Sequence, residues 1–89
     1  MPWYDVRWFY PDEVDLPSES NVAHIAEHDL TPEDFENALA HPVSDEEKSD
    51  SSGRPMTFGH ACDGRLIAVV YEWIDDITVL PVTAYEVDE

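Results

Sequence analysis

Basic side chains are the scarcest groups in this 89-residue chain: four of them (Arg7, Lys48, Arg54 and Arg65) face 21 carboxylates, for a formal charge of -17. Phosphate binding draws its affinity from counterions released by Lys and Arg, and an acidic surface repels the same ligand. That excludes broad nucleic-acid binding, and no direct DNA contact is expected. RNA could be held, and then weakly, only by a local positive pocket built from those few cations. A salt-adapted origin is another account of the charge, because dense carboxylates keep a protein soluble while salt screens their repulsion. A single cysteine, Cys62, excludes an internal disulfide framework and fits a reducing compartment. No apolar run approaches membrane-spanning length and no basic-then-apolar leader opens the sequence, so a cytoplasmic chain without a membrane partner is expected.

What is present is a globular composition. Apolar residues make up 43% of the chain, with Trp 3, Tyr 4 and Phe 3, too many for charge-driven disorder. The length allows one domain, 1–89. A core this small buries only about 60% of the unfolded surface, so stability is marginal or is helped by a partner.

The patterning predicts an α+β fold. Trp3 to Tyr10 is aromatic and β-branched between two prolines and predicts an N-terminal strand. Residues 11–20 form an acidic connector. Asn21 is expected to cap a first helix carrying Val22, Ile25 and Ala26, closed by Leu30. Thr31 as cap, Pro32 behind it and Glu33 and Asp34 in the first turn start a second helix. Phe35, Ala38 and Leu39 form its apolar stripe and Pro42 ends it. Residues 43–53 are expected to be a second, flexible acidic connector. Strands over Arg54 to Cys62, Arg65 to Trp73 and Ile77 to Val87 complete a three-stranded antiparallel meander, with Asp63-Gly64 and Asp75-Asp76 as two-residue turns. Pro81 has no N–H for a ladder, which predicts an edge or a bulge there.

Two-residue turns imply a register. Met56, Phe58, Ile67, Val69, Tyr71, Leu80 and Val82 would lie under the two helices, which pack on one face of the sheet. Thr57, Gly59, Ala61, Ala68, Val70, Thr83 and Tyr85 would form an uncovered, small-sided face, a natural docking surface.

The order strand, helix, helix, meander resembles the RelE superfamily of ribonuclease toxins, and BrnT-like toxins more closely. HIAEHDLTPEDFENALAHP (His24 to Pro42) is similar to their "KHGVSFEEA…DP" helical pair. GRPMTFGHACDGRLIAVVYE (Gly53 to Glu72) is similar to their "R-x-x-x-x-G…GR-L-x-V-V" hairpin, and PVTAYEV (Pro81 to Val87) falls where they carry "IISAR". Arg54, Arg65 and His28 match. The family's Arg in the last segment falls on Tyr85, a basic residue after the hairpin Gly falls on His60, and the basic helix after the last strand has no counterpart. The resemblance implies an RNA-cleaving scaffold that needs no metal, a shortened and acidic member, with an antitoxin partner. It points to His28, Arg54, His60, Arg65 and Tyr85 as catalytic candidates. The chemistry needs a base, an acid and cationic stabilisation, roles that His and Arg fill. On the plainer reading the arginines pair with carboxylates, His60 is a half-buried strand residue and Tyr85 packs across strands.

His24-Ile25-Ala26-Glu27-His28 matches the inverted zinc-protease pattern H-x-x-E-H, but nothing supplies a third ligand, so neither metal nor other cofactor is expected. Cys62 has no base partner, and Asp45, Glu46, Glu47 and Asp50 lack calcium-loop spacing. The leading expectation is a toxin-like component of a toxin–antitoxin module with weak or lost RNA cleavage, an antitoxin or a second copy covering the open sheet face. The alternatives are a non-catalytic protein-binding domain on the same scaffold and, ranked last, an acidic nucleic-acid mimic. If cleavage survives, Arg65→Ala is expected to abolish it with little change in melting temperature.

Overall fold

In the computed structural model, residues 5–16, 20–49 and 53–87 are described. A five-stranded sheet runs in the order β1-β5-β4-β3-β2. Its strands are β1 (Asp5–Val6), β2 (Glu47–Lys48), β3 (Pro55–His60), β4 (Leu66–Trp73) and β5 (Thr78–Glu86). Helices α1 (Asn21–Ala26) and α2 (Pro32–Ala40) cover one face. There Ile25, Leu30, Phe35, Ala38 and Leu39 pack on Ala61, Ile67, Val69, Tyr71, Val79 and Ala84. The α+β class and the β3-β4-β5 meander agree with the sequence reading; the strand count and register do not.

The expected first strand is shorter than its aromatic run. β1 spans Asp5–Val6 and pairs parallel with β5; Trp3 and Tyr4 lie outside the described residues. The Arg7 N–H still donates to the Val79 carbonyl at 2.9 Å. The ladder then meets Pro81, which has no N–H to give. Asn21 takes over there. Its Oδ1 accepts from the Phe9 N–H at 2.8 Å, and its Nδ2 donates to the carbonyls of Arg7 (3.0 Å) and Pro81 (3.2 Å). Asn21 is therefore not the cap of α1, as expected, but its first residue. Ser20 is the cap, accepting from the Ala23 N–H at 3.0 Å and donating to the Phe9 carbonyl at 2.7 Å. Trp8 lies edge-on to Phe35 with ring centroids 5.3 Å apart, which seats this extended segment on α2.

Helix α1 ends in a Schellman turn. Asp29 sits at φ 62, its N–H bonds the Ala26 carbonyl, and the Leu30 N–H reaches back to Ile25. Leu30 and Ile25 are both buried, which supplies the apolar contact such turns favour. Helix α2 starts as the sequence indicates. Thr31 Oγ1 accepts from the Asp34 N–H and Asp34 Oδ2 accepts from the Thr31 N–H, a reciprocal capping box. The other Asp34 oxygen accepts from the Cys62 N–H at 2.9 Å, tying the β3–β4 turn to the helix. Burial pushes the Asp34 carboxyl up, but hydrogen bonds from the Cys62 and Thr31 backbones and their side chains outweigh it and hold the group below its usual value. Such a carboxylate stabilises the fold above the unfolded-state pKa of about 3.9, and the contribution disappears as pH falls through the lower folded value. Asp34→Ala is expected to cost about 2–3 kcal/mol at pH 7 in chemical denaturation, with the difference from wild type narrowing as pH falls through the lowered folded-state value.

Over residues 43–49 the second connector is less free than expected. Glu47 and Lys48 pair antiparallel with Met56 and Pro55, and the Val43 N–H donates to the Phe58 carbonyl at 2.8 Å. The Glu46 carboxylate accepts from the Tyr71 hydroxyl (2.6 Å) and from Trp73 Nε1 (3.0 Å). Residues 50–52 lie outside the described residues.

Both hairpin turns hold one residue more than expected. Ala61 and Arg65 close the first: the Ala61 N–H donates to the Arg65 carbonyl and the Gly64 N–H to the Ala61 carbonyl, with Gly64 at φ 94. Cys62 and Asp63 thus form the turn and Gly64 supplies the left-handed bulge residue, the usual three-residue loop. In the second turn Ile74 donates to the Thr78 carbonyl, while Asp75 Oδ1 accepts from the Ile77 and Thr78 N–H groups. Side chains alternate between faces, so each extra residue inverts a strand. Thr57 and Gly59 pair with Val69 and Ile67 on the helix side. Met56, Phe58 and Val82 join Ala68, Val70 and Val87 in a second cluster on the open side, and Leu80 pairs there with Glu72. Ala68, Val70, Thr83 and Tyr85 are on the open side as expected. The expected bulge at Pro81 is present: the β4–β5 register shifts between Val70 and Tyr71, leaving Val82 without a partner.

Candidate functional site

The residues matched to the toxin pattern divide between the ends of the β3–β4 hairpin. His28 follows α1, and its ring centroid lies 6.4 Å from that of Tyr85 on β5. Arg65, just past the first turn, joins the same neighbourhood through the flanking residues Asp29 and Glu86. His60 stands opposite Leu66 at the end of β3; it is half-buried, and its carbonyl accepts from Asn37 Nδ2 at 2.9 Å. Arg54 precedes the far end of β3, about 20 Å away at roughly 3.3 Å per residue. The structure thus brings His28 and Tyr85 together, ties Arg65 to their sequence neighbours Asp29 and Glu86, sets His60 opposite Leu66 and leaves Arg54 at the far end of β3.

Electrostatics decide what these groups can do. Arg65 Nε lies 2.7 and 3.0 Å from the two oxygens of Asp63. Its Nη2 donates to the Asp29 carbonyl at 3.0 Å, and its Nη1 is 3.8 Å from the Asp29 carboxylate and 3.6 Å from that of Glu86. The hydrogen bonds to Asp63 raise the guanidinium pKa; desolvation opposes them, and the charges of Asp63, Asp29 and Glu86 add to the rise. Arg65 in turn holds the Asp63 carboxyl low. Arg54 Nε donates to Glu72 at 2.7 Å across the open face. A phosphate at either arginine competes with a carboxylate already seated on its Nε.

Arg65 joins the end of α1, the first turn and β5. That geometry reverses the expectation that its loss leaves stability unchanged: Arg65→Ala is expected to lower the melting temperature by a few degrees, read by thermal circular dichroism.

The H-x-x-E-H residues lie on one exposed surface. His24 and His28 have ring centroids 6.0 Å apart, and His24 Nδ1 is 3.7 Å from Glu27. Among the described residues no group of three or more His, Cys, Asp or Glu is placed to hold a metal ion. Desolvation, then the hydrogen bond to Asp34 and the charges of Asp34, Glu33 and Asp63, push the exposed Cys62 thiol up, away from the nucleophilic thiolate. A cavity of about 340 Å3 lies between Phe9, Asn21, His24 and Leu80–Val82, and one of about 200 Å3 between Leu39, Pro42, Glu46 and Tyr71. Neither is lined by Arg54 or Arg65.

Asn21, Asp34 and Glu46 hold the scaffold through their side chains, and sequence reasoning gave them other parts: a helix cap, a first-turn charge and a loop anion. Their partners are distant in sequence, and only the Thr31–Asp34 spacing signalled one of these bonds. No helix among the described residues is long and apolar enough to cross a membrane. No family model, curated protein or solved structure matches the chain. The resemblance to BrnT-like toxins therefore stands on the quoted motifs and their order.

Proposed function

We propose that the chain is a toxin-like component of a two-protein toxin–antitoxin module that acts through protein contact, with RNA-cleaving power weak or lost. The observation that carries this reading is the capture of both pattern-matching arginines: Arg65 by Asp63, with Asp29 and Glu86 behind it, and Arg54 by Glu72. A transition-state phosphorane needs preorganised donors. Here the Nε of each arginine already sits on a carboxylate, in a chain of net charge -17. Two measurements test the reading: cleavage of a mixed-sequence RNA by the purified protein, and co-elution of the protein with the product of the neighbouring reading frame when both are expressed. Brisk cleavage that disappears in Arg65→Ala would overturn it.

A second reading, a non-catalytic protein-binding domain that keeps only the same scaffold, is favoured by the apolar sheet face carrying Met56, Phe58, Val70 and Val82. The carboxylates would then reflect adaptation to salt. In that case the melting temperature should climb steadily from dilute buffer to molar potassium chloride as like charges are screened. A flat series would leave the charge to a binding role.

A further inference from the structure

His24 and Glu27 have no part in the toxin-like reading, and His28 enters it only by resemblance. The missing third ligand rules out a catalytic zinc of the protease kind, but not a chelate of two nitrogens. Both imidazoles are exposed, His24 within α1 and His28 in the turn that closes it. Spacing of four residues brings them to the same side of the chain, with ring centroids 6.0 Å apart and planes at 66°. A metal about 2.1 Å from one nitrogen of each ring, at a tetrahedral angle, would set the centroids roughly 5 Å apart. Small χ rotations of two solvent-facing side chains cover that difference of about 1 Å without moving the backbone.

The surroundings suit a cation. Glu27 Oε2 lies 3.7 Å from His24 Nδ1. A carboxylate on that side favours the tautomer protonated at Nδ1 and leaves Nε2 as the ligand, the arrangement found behind metal-bound imidazoles. Among the described residues no hydrogen bond occupies a His28 ring nitrogen, and the ring packs beside Tyr85, which restricts its rotamers. Glu27 and Asp29 flank the pair in a chain of net charge -17, which raises the local concentration of any cation. Carboxylates alone would serve magnesium or calcium; imidazole nitrogens select zinc, nickel or copper.

We propose that His24 and His28 chelate a divalent transition-metal ion through one nitrogen each, with solvent in the remaining positions. Two protein ligands make this an exchangeable site, unlike the closed four-ligand site of a structural zinc. The ion joins α1 to the turn that Arg65 clasps, and by binding the folded chain it raises the melting temperature. The proposal is independent of the toxin-like reading and of its RNA test.

Zinc chloride titrated into the whole protein at about pH 7.5, where unperturbed imidazole is neutral, tests this by calorimetry and by the histidine ring signals in NMR. The His24 and His28 signals should shift together, and copper should bind more tightly than zinc. His24→Gln and His28→Gln should each weaken zinc at least about tenfold, because the second nitrogen no longer adds within the same molecule. Both residues are exposed, so neither change threatens the fold. His41→Gln and Cys62→Ser, also at exposed positions, should leave the affinity unchanged. Wild-type affinity in either His24→Gln or His28→Gln overturns the proposal, as does a wild type that binds no zinc. Loss of binding in Cys62→Ser overturns it too, since the ligand is then the thiol. Magnesium binding as tight as zinc would overturn it by showing that carboxylates alone hold the ion.

Discussion

Asn21→Asp should be among the most damaging single-atom changes in this protein, costing about 3–5 kcal/mol at pH 7, the range for a buried charge left facing the wrong partners. In the wild type the carboxamide donates to the carbonyls of Arg7 and Pro81 and accepts from the Phe9 N–H, with 7% of the residue exposed. A carboxylate keeps the bond to Phe9 but turns two lone-pair-bearing carbonyls toward a negative charge. The fold can relieve this only by binding a proton, which raises the folded-state pKa above the unfolded value of about 3.9. The sign of the pH dependence follows. Below that value both states are protonated and the variant loses little; as pH rises through it the unfolded state ionises first and the deficit grows until the folded group also ionises. Urea midpoints at pH 4 and pH 7 should show a gap from wild type that widens with pH. A constant gap would mean that the oxygen takes no proton and that the loss comes from packing alone.

Gly59→Ala should cost about 3 kcal/mol or more, toward the upper end for overpacking, because what it strikes is backbone. A Cβ at Gly59 would collide with the Ala38 carbonyl oxygen and come within 2.6 Å of its Cα and 2.8 Å of its carbonyl carbon. No rotamer change moves those atoms, so α2 must lift from β3 or the strand must bend. The bond from Asn37 Nδ2 to the His60 carbonyl is the adjacent contact that such a shift would break. Amide exchange along α2 would locate the damage: accelerated exchange there, with β4 still protected, is the expected pattern. If Gly59→Ala melts with the wild type, the close approach of helix and strand is wrong.

The position of α2 on the sheet was legible only in part. Its beginning was clear, because Thr31, Pro32 and Asp34 are local signals that act within one turn. The apolar stripe of Phe35, Ala38 and Leu39 was clear for the same reason, since helical period is a property of neighbouring residues. That Ala38 rests on Gly59 was not, because nothing local records which strand residue comes beneath a helix. The candidate site behaves alike. His28, Arg65 and Tyr85 could be singled out by resemblance, and Asp63 stands two residues from Arg65. The carbonyl of Asp29 reaches Arg65 across 36 positions of sequence, and that contact helps turn a proposed phosphate ligand into a clasp.

The sequence by itself determined the α+β class, the two helices and the β3-β4-β5 meander, the start of α2, the irregularity at Pro81 and a composition with few cations to offer a phosphate. These follow from propensity, capping, periodicity and charge count, which act over a few residues or over the whole composition. Only the tertiary structure decided which side chains face the helices. An Asp-Gly pair serves a two-residue turn or the end of a three-residue one with equal ease, and the choice inverts every residue of β3. The parallel pairing of β1 with β5 and the filling of the Pro81 gap by Asn21 were decided there too, because backbone groups left without a local partner take whichever distant donor or acceptor the packed core brings within about 3 Å.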